Sequence, residues 1–157
     1  MKSYTELSES SVFKKPKWVR PDAAALHQEY HIEYKSHPKQ FDPAWFPTEE
    51  SFMKAVGSSQ SVSVSRSLDN KIAYRSRCKN MAQLLSLIKT YRSYPKFRNK
   101  ESLEKLEKLI VGGGAVTMPI VVQTDDGLMV MGGNTRMDIA FMHGIDPTVI
   151  VVKVDSE

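Results

Sequence analysis

The stretch Pro119-Ile120-Val121-Val122-Gln123-Thr124-Asp125-Asp126-Gly127-Leu128-Met129-Val130-Met131-Gly132-Gly133-Asn134-Thr135-Arg136 decides the fold of this chain. Pro119 to Gln123 is β-branched and apolar, the composition of a buried strand. Asp126-Gly127 is a hairpin signal, because glycine accepts the backbone conformation that a tight turn demands. Leu128 to Met131 reads as the return strand, and Gly132-Gly133 follows without a spacer. A helix is expected from about Asn134 to His143, closed by Gly144 at the C′ position. Thr148 to Val154 reads as a final, mostly buried strand. This order predicts a mixed α/β (α+β) fold, a small sheet flanked by helices.

A strand that runs into two glycines and then a helix start has the physics of an anion site. First-turn amides have no acceptor inside the helix, and the macrodipole adds partial positive charge there. Glycines let a phosphate approach the backbone. Asn134 and Thr135 suit capping or donation to an oxygen, and Arg136 offers a planar fork of donors matched to phosphate. The same five residues also suit a plain strand-to-helix turn with a capping Asn and a surface Arg.

Upstream, Asn99 is positioned to cap a helix with Leu103, Leu106 and Ile110 on one face, closed by Gly112-Gly113-Gly114. Asn80, with Gln83 at the capping-box position, starts another helix carrying Met81, Leu84, Leu85, Ile88 and Tyr91, and Pro95 ends it. Ser61 to Ser65 alternates strictly, as a half-buried strand does. Thr48 opens a helix with half a capping box and acids Glu49 and Glu50 in the first turn, and Gly57 is its expected stop. Residues 1–57 otherwise read as an irregular arm. Prolines recur at 16, 21, 38, 43 and 47, and a short helix is expected from Asp22 to Tyr34 with Asp22 as N-cap. Seven aromatics (Phe13, Trp18, Tyr30, Tyr34, Phe41, Trp45 and Phe46) imply that the arm packs over the domain or over a partner. The expected division is thus an arm over 1–57 and a domain over 58–157.

The chain has 157 residues and a formal net charge of +4. Between Arg66 and Lys108 there are twelve Lys or Arg against four acids, so the remainder is net acidic. That basic segment is either a solvated helix face or an anion-binding surface. One cysteine, Cys78, excludes an internal disulfide and a Cys-based zinc site. No signal-like N-terminus is present, and no run approaches the roughly 18 apolar residues that span a bilayer. A cytoplasmic protein without membrane partners is the expectation.

The segment Met118-Pro-Ile-Val-Val, Asp126-Gly-Leu-Met-Val-Met-Gly-Gly-Asn-Thr-Arg-Met-Asp-Ile-Ala-Phe-Met-His-Gly-Ile and Val149-Ile-Val-Val-Lys-Val resembles the ParB/sulfiredoxin-like superfamily. That family carries Pro-Ile-x-Val, Asp-Gly, Gly-x-x-Arg, Ala and Gly in the same order. With Val62-Ser63-Val64 as opening strand and Asn80–Lys89 as the helix before the Pro-Ile strand, the resemblance covers about residues 60–154. The stretch from Thr90 to Thr117 is longer than the family pattern, and Gly-Gly-Asn-Thr-Arg looks like a phage-type variant. The resemblance implies a loop that binds nucleotide phosphate, with Gly132, Gly133 and Arg136 on the motif. Asn134 stands where sulfiredoxins have their catalytic cysteine, and Thr135 where many relatives have histidine, so sulfiredoxin chemistry is not expected. Arg75 or Arg77 would face the nucleotide, as an arginine does in partition-type relatives. The implied activity is nucleotide-dependent phosphotransfer, as in kinase members, with ATP or another nucleotide and, if so, Mg²⁺. The other readings are a DNA-binding module and a phage-type accessory protein binding another protein, or a second copy, through its aromatic arm.

Tyr91 to Asn99 interleaves rings and cations, the mixture that single-stranded nucleic acid sites use, which nominates Arg92, Tyr94, Lys96 and Arg98. Buried aromatics in a helix–helix connection explain it equally. No catalytic base is assignable; Asp138 reads as structural, and Asp125 and Asp126 as turn residues. His27 and His31 have i,i+4 spacing, but no complete ligand set is visible, and no metal site is expected. His143 is explained by a helix C-terminus. Cys78 lies among Arg75, Arg77 and Lys79 without a base to activate it.

Overall fold

Ile120–Thr124 (β5) and Gly127–Gly132 (β6) pair antiparallel in the computed structural model, which describes residues 14–64, 72–73, 80–91 and 100–154. Thr124 faces Gly127 across the turn, where Gly127 takes φ 136°. The register slips between Ile120 and Val121, which leaves Met131 as an extra residue on β6. This bulge breaks the alternation just ahead of the glycines, so Val130, Met131 and Gly132 are all buried. Thr148–Lys153 (β7) lies parallel to β5 on its other side. Ser61–Ser63 (β2) pairs antiparallel with β7, and Ile72–Ala73 (β3) pairs parallel with β6. The sheet order is β2-β7-β5-β6-β3, and the α/β class expected from the sequence is the one observed. Of the strand expected over 61–65, Ser61–Ser63 is observed as three exposed residues, Val64 is fully buried with its N–H donating to the Pro147 carbonyl, and Ser65 lies outside the described residues.

The chain separates into two compact units. One comprises Arg20–Arg75, Met118–Asn134 and Asp146–Glu157 and contains this sheet. Its helices are Ala23–Gln28 (α1), a π-helical continuation over Glu29–Tyr34, and Glu49–Ser58 (α2). The Asp22 side chain accepts from the Ala25 N–H at 2.8 Å, as expected of the N-cap. The half capping box at Thr48 is complete. The Ser51 N–H donates to Thr48 Oγ1 at 3.0 Å, and the Thr48 N–H donates to Ser51 Oγ at 3.1 Å. The helix runs through Gly57 and stops at Ser59.

Most aromatic residues of the 1–57 stretch belong to the core of this unit, with Trp45 partly buried against it; Trp18 packs on the core of the other unit, and Phe13 lies outside the described residues. Tyr30, Tyr34, Phe41, Phe46 and Phe52 are buried together with Ile120, Val122, Ile150 and Val152, the alternate residues that line one face of β5 and β7. The rings of Tyr30 and Tyr34 stack at 5.5 Å, and Phe46 meets Tyr34 and Phe52 edge-on at 5.2 Å. Both buried hydroxyls are satisfied. Tyr30 donates to the Phe46 carbonyl at 2.9 Å; Tyr34 donates to the Asp42 carbonyl at 2.5 Å and accepts from the Phe46 N–H at 3.0 Å. Burial raises the Tyr34 phenol above its ordinary value of 10.0.

The other unit comprises Met1–Val19, Ser76–Thr117 and Thr135–Ile145. It holds helices Met81–Tyr91 (α3), Lys100–Val111 (α4) and most of Asn134–Met142 (α5), with a parallel pair of short strands, Lys17–Val19 (β1) and Ala115–Thr117 (β4). The Asn80 side chain accepts from the Gln83 N–H at 2.9 Å and so caps α3. Leu84, Leu103, Ile110, Val116, Ile139, Ala140 and Ile145 form its core. On α4, exposed Lys105 pairs with Glu101 at 3.3 Å and Lys100 with Glu104 at 4.0 Å, both at i,i+4 spacing. No helix among the described residues is long and apolar enough to cross a membrane.

Candidate functional site

The glycine loop joins β6 directly to α5, and its two glycines serve different needs. Gly133 takes φ 103°, a left-handed conformation in which a side chain is strained. Gly132 is buried with no such φ; its need is space. A Cβ at this position would collide with a Glu29 carboxylate oxygen, with Glu29 Cδ 2.5 Å away and the second oxygen at 2.8 Å. Glu29 comes from the first residue of the π-helical turn, and its Oε2 is buried. The loop therefore opens against a carboxylate 103 residues upstream in sequence, which no spacing rule could have indicated.

Beyond the glycines, Asn134 is the first helical residue, and its buried Oδ1 has no hydrogen-bond partner among the described residues. Rotating the amide about its last torsion would present the NH₂ group, a donor, at the same place. Thr135 and Asp138 are buried, at 4% and 2% exposure. Arg136 is half-buried, and its Nη1 donates to the Thr117 carbonyl at 2.7 Å. At least one of its five donors thus ties α5 to the end of β4. His143 pairs with Glu107 at 2.8 Å. Arg75, Arg77, Arg92, Tyr94, Lys96, Arg98 and Cys78 lie outside the described residues. A cleft of about 450 Å³ opens elsewhere on the sheet-bearing unit, between Trp45, Ser51 and Lys153. Lys153 is its one charged lining residue, so it offers no set of converging polar groups.

A second cluster lies on the surface of the sheet-bearing unit. His27 of α1 and His31 of the π-helical turn have ring centroids 4.5 Å apart. Both face Glu49, the first residue of α2: His27 Nδ1 is 2.5 Å from Oε1, and His31 Nε2 is 3.7 Å from Oε2. The i,i+4 spacing of the histidines was visible in the sequence. Glu49, readable there only as a first-turn acid favoured by the helix dipole, was not connected to them, because that requires knowing that α1 and α2 pack together.

No protein-family model, curated protein or solved structure matches the chain.

Proposed function

We propose that this chain is a nucleotide-binding protein of the ParB/sulfiredoxin-like kind that transfers a phosphoryl group to a hydroxyl of a nucleotide or nucleic acid. The observation that carries this reading is the Glu29 carboxylate packed against Gly132, the first glycine of the loop. The sequence offers a candidate phosphate cradle without a base, and the Glu29 carboxylate beside Gly132 is the group proposed for that role. In this mechanism Glu29 takes the proton of the acceptor hydroxyl as its oxygen attacks the terminal phosphorus. The bond to the bridging oxygen of the donor nucleotide breaks, and the amides of the glycine loop stabilise the spreading charge. ATP or another nucleotide would supply the phosphoryl group, and Mg²⁺, if bound with it, would supply counter-charge between phosphate and carboxylate.

Nucleotide titration by calorimetry, with Mg²⁺, tests the first half. Wild type is expected to bind, and Arg136→Ala to bind at least tenfold more weakly. Arg136→Lys keeps a donor for the Thr117 carbonyl and controls for the loss of that tie. Glu29→Gln tests the second half: binding is retained and phosphoryl transfer is lost. Absence of nucleotide binding at millimolar concentration ends the proposal.

A further inference from the structure

We infer that His27, His31 and Glu49 form a site for a divalent transition-metal ion, with zinc as the best match. The three ligand atoms, two imidazole nitrogens and one carboxylate oxygen, all lie within 4.8 Å of one another. In a tetrahedral zinc site with bonds of about 2.0–2.1 Å, neighbouring ligand atoms are about 3.3 Å apart. The measured separations, 2.5 Å from His27 Nδ1 to Glu49 Oε1 and 3.7 Å from His31 Nε2 to Glu49 Oε2, run to the two oxygens of one carboxylate, and the 4.8 Å span that holds one ligand atom from each residue is wider than a closed site needs. Rotation of the Glu49 carboxylate and small changes of the imidazole torsions are enough to close a site of the right size.

Two features favour a metal over a simple ion pair. The carboxylate is already paired by His27; a second imidazole turned to the other oxygen adds a ligand that charge pairing does not need. The donor set is also selective. Two imidazoles and one carboxylate suit zinc and its transition-metal neighbours, whereas Mg²⁺ and Ca²⁺ take oxygen ligands. Three protein ligands on an exposed surface leave the fourth position to water or to a ligand from solution. The supporting elements are fixed from beneath. Glu49 is held at the start of α2 by the Thr48–Ser51 capping box, and His31 packs edge-on against buried Tyr30 at 5.1 Å. Bound zinc would tie α1 and its π-helical turn to α2. This inference does not rest on the phosphotransfer reading; the two share only the helical segment that carries Glu29.

The test is calorimetric titration of the full-length protein with ZnCl₂ and, separately, MgCl₂, alongside thermal melts. Wild type is expected to bind one zinc ion in the micromolar range or tighter, without a comparable response to Mg²⁺. Saturating zinc is expected to raise the melting temperature by about 5–10 °C at a hundredfold excess over Kd. His27→Gln/His31→Gln changes only exposed side chains, so it is expected to fold, checked by circular dichroism, and to lose both signals. Glu49→Gln is expected to weaken binding at least tenfold. No saturable one-to-one binding below 100 µM overturns the inference, and so does binding that survives the double histidine substitution.

Discussion

Replacing Gly132 by alanine isolates the contact on which the glycine loop turns. The backbone at 132 has no positive φ, so alanine brings no conformational strain, and its whole cost comes from the Glu29 carboxylate in the space its methyl needs. The clashing atoms are the far end of a flexible side chain, so the carboxylate swings aside, and the cost is that of taking Oε2 out of the place where it is buried. Such a displacement lies at the low end of overpacking, about 1 kcal/mol. For a chain of this size that corresponds to a fall in melting temperature of about 2–4 °C. Urea denaturation of four proteins measures it: wild type, Gly132→Ala, Glu29→Ala and the double variant. With the carboxylate removed, the methyl has room, and most of the penalty should disappear. A coupling energy of about 1 kcal/mol is expected between the two sites. A Gly132→Ala cost below about 0.5 kcal/mol, or the same cost in the Glu29→Ala background, would refute the assignment of Gly132 as the seat of Glu29. Gly133→Ala supplies the contrast: its cost arises from φ 103° and should be equal in both backgrounds.

Two further outcomes follow from the aromatic core. Phe52→Ala removes a fully buried ring in contact with Tyr30, Tyr34 and Phe46, and should destabilise by about 3–5 kcal/mol in the same denaturation assay. Tyr34 has a folded pKa raised above its unfolded value, so the fold favours the protonated phenol. Its contribution is complete below pH 10 and is lost as pH rises through the folded value. Stability measured from pH 9 to 11.5 should fall more steeply for wild type than for Tyr34→Phe; parallel curves would contradict the assignment.

Local chemistry was legible in the sequence where it depends on near neighbours. The caps at Asp22, Thr48 and Asn80 are side chains bonding to amides three residues on, and the hairpin at 124–127 is a glycine meeting a φ demand. Long-range placement was not legible. The aromatics of the 1–57 stretch could equally have covered a partner; burial against β5 and β7 depends on sheet contacts across about a hundred residues. Lys17–Val19 pairs with Ala115–Thr117 although prolines flank it, because a two-stranded parallel contact leaves each strand an open edge. The loop was partly legible. Its glycines and helix start were read from the pattern, while Glu29 beside Gly132 and the tie from Arg136 to Thr117 arise only from folding. Glu49 between two histidines belongs to the same class of hidden neighbour.

The sheet order β2-β7-β5-β6-β3 has a consequence for biosynthesis. Strand β7 follows every other described element along the chain, yet it occupies an interior position, between β2 and β5. Until Thr148–Lys153 leaves the ribosome, β2 has no neighbour and β5 exposes a row of unpaired backbone groups. Tyr30, Tyr34 and Phe52 likewise wait for Ile150 and Val152. Nascent chains stalled before residue 148 would therefore carry an open strand edge beside an uncovered aromatic cluster, the combination that chaperones bind and that seeds aggregation.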